Sequence, residues 1–153
     1  MTKTIIQAQS PSLHFLEELM NEQSITRKMV ADKFGITPQN VGVWIRDGSI
    51  PLKSLMQIGE MLNIKISIDL LKPGDPPNEI PDYAIHKGAP ILYFLQKAFM
   101  RYKIDANRFE ELTHYDKRLF TIIDKREDMF YRLIWRYAQK LGLLVRLTLE
   151  PHS

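Results

Sequence analysis

The chain has 153 residues, 44% hydrophobic and 25% charged, an ordinary globular composition long enough for one domain or two small ones. It has no cysteine, which excludes disulfides and thiolate metal sites and suits a reducing, cytoplasmic setting. The net charge of +3 favours a polyanion partner only mildly. The longest apolar run, 89–95, stops at Gln96 and Lys97, far short of the roughly 20 residues of a membrane span. The N-terminus lacks the basic-then-apolar order of a signal peptide, so no membrane partner is expected.

In chain order, Thr4-Ile5-Ile6-Gln7 reads as a short strand. The amphipathic stretch 12–22 predicts a helix that carries His14 as a structural residue. Residues 25–48 predict a helix, a tight turn and a second helix. Ala31 is the small residue that lets the two helices cross closely. Gly35 sits just past the first helix, where a left-handed backbone costs glycine little. Thr37 is placed to cap the second helix, and Pro38 opens it with φ already set. Val41 and Trp44 fall on one inward face, and Gly48 closes the helix. Ala31, Gly35, Val41 and Trp44 are therefore expected to be structural.

Ordered in this way, Ile25, Thr26, Arg27, Val30-Ala31, Gly35, Ile36, Thr37, Val41, Trp44 and Gly48 resemble the phage repressor and Cro-like helix-turn-helix family. The likeness runs over residues 10–71 and includes a next helix at 51–63. Arg27 replaces the family's glutamine, Ile45 stands where glutamate is frequent, and the strand-like 64–71 replaces a final helix. The resemblance implies that helix 38–47 lies in the DNA major groove.

Residues 72–82 hold four of the nine prolines, and 72–88 is predicted to be a linker. The halves on either side share a pattern. At an offset of 79 residues, Leu13, Phe15 and Leu16 meet Leu92, Phe94 and Leu95. Val30 meets Phe109, Val41 meets Phe120, and Leu55 meets Ile134. Both halves end in an alternating run, at 64–71 and 143–149. The pattern predicts a degenerate tandem repeat, mostly α with a small β-sheet: a lobe at 1–71, a lobe at 89–153, each ending in a strand. Neither strand is stable alone, so the two are expected to pair, burying Ile64, Ile66 and Ile68 against Val145, Leu147 and Leu149. Gly35 is matched by His114, Trp44 by Ile123 and Ala31 by Glu110, which would demand a register shift at a close helix contact. The second lobe is therefore not expected to need to read bases.

Gln39, Asn40, Val43 and Arg46 point away from Val41 and Trp44 and are the candidate base contacts. Gln and Asn suit adenine, Arg suits guanine, and Val suits a thymine methyl. Gly42 hints at a close backbone approach. Arg27, Lys28 and Lys53 are the candidate phosphate contacts. The expected function is sequence-specific binding of double-stranded DNA by a bacterial or phage-type transcription regulator. One helix reads few base pairs, so a homodimer or a pseudo-symmetric monomer must supply a second unit, with the C-terminal half serving assembly, backbone contact or a protein partner. A rival reading is an interaction module that keeps the frame without reading DNA, favoured by the neutral first half (eight basic and eight acidic residues over 1–75) and by exposed-looking Val43 and Ile45. Enzyme signals are poor. His14, His86, His114 and His152 lack metal-ligand spacing, no phosphate-binding loop or nucleophile motif occurs, and no cofactor is expected. Met20, Met29, Met56, Met61, Trp135 and Tyr137 read as core.

Overall fold

The two alternating runs do pair with each other. The computed structural model describes residues 2–77 and 92–151, which form eight helices and three strands. In order these are β1 (Lys3–Gln7), α1 (His14–Glu22), α2 (Arg27–Phe34), α3 (Pro38–Asp47), α4 (Leu52–Met61) and β2 (Ile64–Leu71). The second half continues with α5 (Tyr93–Arg101), α6 (Ala106–Thr113), α7 (Lys117–Lys125), α8 (Tyr131–Lys140) and β3 (Leu144–Pro151). The fold is mostly helical with one small antiparallel sheet, in the order β1-β3-β2. No helix among the described residues is long and apolar enough to cross a membrane. Residues 78–88 of the expected linker, with His86 and His152, lie outside the described residues.

The offset of 79 recurs in the coordinates. α1, α2 and α4 begin and end 79 residues before α5, α6 and α8. Left-handed backbone occurs at Ser24 and Lys103, at Gly35 and His114, and at Asn63 and Gly142, each pair again 79 apart. β2 and β3 pair with Ile68 opposite Leu147, and these are equivalent residues (68 to 147). An antiparallel pair has a local two-fold axis through its facing residues. When those residues are equivalents, the axis relates one half of the chain to the other. A second point lies on it. Pro51 bridges Phe130, Leu52 N–H donates to Met129 C=O, and Tyr131 N–H donates to Ile50 C=O, both at 2.9 Å. Each donor and acceptor is exchanged for its own equivalent, as a two-fold requires.

β3 buries one face along its length, and β2 is buried on both faces from Ile68 to Leu71. Ile66 and Ile68 are buried opposite Leu149 and Leu147, and Leu70 opposite Val145. Ile64, expected among the buried set, is only half-buried because it faces Pro151 at the sheet's end. Burying each such side chain contributes about 1.5–3 kcal/mol. One continuous apolar core runs through both lobes. The second lobe fills its part with rings: Phe99 and Phe120 lie 5.0 Å apart, and Phe109 meets Tyr137 edge-on at 5.6 Å.

The positions equivalent to β1, residues 82–86, lie outside the described residues. β1 pairs with β3 and is fastened by Gln7, whose side chain accepts from Tyr131 O–H and donates to Ser12 C=O. Trp135 Nε1 donates to Gln7 C=O at 2.9 Å, which explains why this indole faces inward. Burial pushes the Tyr131 hydroxyl pKa up, so it remains a donor at any physiological pH. Residues 72–77 do not hang free either. Lys72 N–H donates to Tyr102 Oη, that hydroxyl donates to Asp75, and Arg101 donates to Pro76 C=O.

A shared sheet and core make the halves one cooperative unit. Trp44 lies in the first half and Trp135 in the second. In Trp44→Phe and Trp135→Phe, the remaining indole's fluorescence change in urea should coincide with loss of the helical circular-dichroism signal. Separated transitions would mean that the halves unfold independently.

Candidate nucleic-acid interface

α3 is built as a helix with its two faces cleanly separated. Thr37 is extended, and its hydroxyl accepts from Asn40 N–H at 3.2 Å; Pro38 follows at the first helical position. Gly48 ends the helix with φ +69°, and any side chain there would strike the Pro11 backbone. α2 is capped by Thr26, and Gly35 (φ +66°) makes the turn between the helices. Val41 and Ile45 are buried, and Ile45 C=O accepts from Leu13 N–H at 2.7 Å. Ile45 is thus a core residue, against the expectation of exposure: at four residues from Val41 it shares that inward face. Trp44 is half-buried and meets the Phe34 ring edge-on at 5.4 Å.

On the opposite face Gln39, Asn40 and Arg46 are exposed, and Val43 is half-buried beside them. Helical spacing brings Gln39, Val43 and Arg46 into one stripe, with Asn40 at its margin. Arg46 holds Asp47 at 3.1 Å in an exposed pair, and that hydrogen bond lowers the Asp47 pKa. Such surface pairs are worth little and open readily.

The three expected phosphate contacts differ in their surroundings. Arg27 grips Glu17 with two hydrogen bonds of 2.9 Å, tying α2 to α1. An arginine already paired to a carboxylate brings less net charge to a phosphate. Lys28 pairs with Asp32 one turn on, at 3.2 Å. Lys53 is exposed, while its N–H donates to Asp128 of the other half. The role foreseen for Gly42 also changes. A Cβ there would stand 2.8 Å from Arg27 Nη1, so the glycine makes room for the Arg27–Glu17 clasp. Met29, expected in the core, is about half exposed, and its sulfur accepts from Thr26 N–H at the start of α2.

α6 and α7 repeat the arrangement with different chemistry. Asp105 caps α6 and Asp116 caps α7. Hydrogen bonds from Arg118, side chain first and then backbone, lower the Asp116 pKa to about 2. Glu110, equivalent to Ala31, causes no register shift. Its side chain is exposed and accepts from Lys117 N–H at 2.7 Å, a further cap for α7. The exposed Arg118, Ile122 and Lys125 lie on α7 where Gln39, Val43 and Arg46 lie on α3. In the sequence the basic residues of the second half, Arg118 and Lys125 among them, read either as a solvated face or as a supplementary backbone-binding surface; the offset of 79 is the signal that aligns them and Ile122 with α3. Among the described residues no three His, Asp or Glu side chains gather as a metal site would need.

No family model matches the chain, and neither a curated protein nor a solved structure matches it.

Ala31 is buried, and its successor helix opens on Pro38, which has no N–H. At the equivalent place Glu110 is exposed and Lys117 offers one. Ala31→Glu should therefore cost about 2–4 kcal/mol in urea denaturation, as a buried carboxylate without a donor. Adding Pro38→Lys should recover part of that loss; no recovery would mean that the two helix pairs are not built alike.

Proposed function

We infer that the protein binds double-stranded DNA in a sequence-dependent way, as a transcription regulator, with α3 entering the major groove. One observation carries this: a capped helix whose buried side is Val41 and Ile45 presents Gln39, Asn40 and Arg46 to solvent on the other. Amide and guanidinium side chains on an exposed helix face match the donor and acceptor pattern of base edges. The resemblance of residues 10–71 to repressor and Cro-like proteins supports the same reading. Lys28 and Lys53 flank the helix as backbone contacts. The rival, a protein-interaction module, loses one of its two apolar anchors, since Ile45 is buried.

Gln39→Ala or Asn40→Ala should weaken binding to a selected site by about 1–3 kcal/mol while scarcely changing affinity for random duplex. Lys53→Ala should weaken both alike and reduce the salt dependence of binding. Fluorescence anisotropy across a salt series separates the two effects. If both α3 variants bind the selected site as the parent does, with melting unchanged, α3 does not read bases.

A further inference from the structure

We propose that α7 is a second DNA-reading helix of different preference, so that a single chain recognises a duplex site with two unlike arms. This rests on the assignment of α3 to the major groove. The two-fold through the Ile68–Leu147 and Pro51–Phe130 pairs relates α3 to α7. Elements related by a two-fold stand at equal height along its axis, which is the placement that a single duplex touching both α3 and α7 requires. Their C-terminal ends flank the bridge: Gly48 C=O, just past α3, accepts from Arg132 N–H, and Asp128, just past α7, accepts from Lys53 N–H. The internal axis supplies the second reading unit that other chains obtain by dimerising.

The two faces are alike in position and unlike in chemistry. α3 offers amides, which suit adenine. α7 offers Arg118, suited to the two acceptors of guanine, and Ile122, about half exposed, suited to a thymine methyl. Arg118 holds Asp116 at 2.8 Å, but both side chains are more than half exposed, so the pair exchanges readily for a base or phosphate. Charge points the same way. Residues 117–126 carry four cations and one acid, whereas α3 carries one of each. The phosphate attraction that the neutral first half lacks stands at the equivalent place in the second. Because the arms are read by different side chains, the site has no palindromic symmetry, and one chain suffices per duplex.

The test is selection of bound sequences from a random duplex pool by the full chain, repeated with Gln39→Ala, Arg118→Ala and Arg118→Lys. The parent should enrich one motif with two unlike arms and bind it one chain per duplex in sedimentation. Arg118→Ala should lower affinity for that motif by about tenfold and blur one arm. Arg118→Lys, which keeps the charge and loses the two-pronged geometry, should blur the same arm while retaining random-duplex affinity. Gln39→Ala should blur the other arm. If Arg118→Ala leaves the motif intact while Gln39→Ala does not, α7 is no reading head, and the role of α3 stands. A palindromic motif occupied by two chains overturns the proposal in the same way. Failure of the parent to enrich any motif overturns both.

Discussion

The antiparallel pairing of β2 with β3, centred on Ile68 and Leu147, is the contact on which the rest of the molecule depends. A lone strand leaves its backbone groups unpaired, and β1 and β2, though both in the first half, do not pair with each other: each pairs with β3. Closing the ladder between equivalent residues does two things together. It pairs one edge of each strand, and it relates α1, α2 and α4 to α5, α6 and α8 about one two-fold. The bridge at Pro51 and Phe130 is the same axis met again, where α4 and α8 begin. β1 then covers the far edge of β3, held through Gln7 by Tyr131 and Trp135.

Within this frame the halves keep geometry and change chemistry. A threonine and an aspartate cap equivalent helices, Thr26 with Asp105 and Thr37 with Asp116. Each supplies the acceptor that the first-turn N–H groups need. Gly35 and His114 make the same left-handed turn, although only glycine does so without steric cost. At His114 the left-handed turn closes α6, with His114 N–H donating to Glu110 C=O and Phe109 and Thr113 of that helix buried in the core. Ala31 is followed by Pro38, which has no N–H, whereas the exposed Glu110 accepts from the N–H of Lys117 at the equivalent place.

Charge follows the opposite logic. The first half is neutral overall and spends its arginines on carboxylates, Arg27 on Glu17 and Arg46 on Asp47. In the second half α7 carries Lys117, Arg118 and Lys125 against one acid, Asp124. A polyanion lying across the axis would meet amides on one side and a positive field on the other. Affinity from phosphate neutralisation and preference from base edges would then reside in different places.

The sequence by itself determined the elements. Helical period, the Thr37-Pro38 start, the glycines at 35 and 48 and the two alternating runs are local signals, and they locate the first-half helices and the strands β2 and β3 to within one or two residues, whereas the rest of the second half was legible only as helical. The offset of 79 was legible too, because an apolar pattern survives where identity does not. Other features depend on neighbours distant in the chain. Ile45 is buried because Leu13 and the core reach it, although in a helix read alone it resembles Val43. Gly42 makes room for Arg27, which is fixed by Glu17, a residue on another helix. Glu110 is exposed and accepts from Lys117 N–H, where the next helix begins. The two-fold itself required the register of β2 against β3. A one-residue slip would have paired non-equivalent positions and turned each strand's apolar face to water, so burial in the assembled core, and no local propensity, decided how the halves face each other.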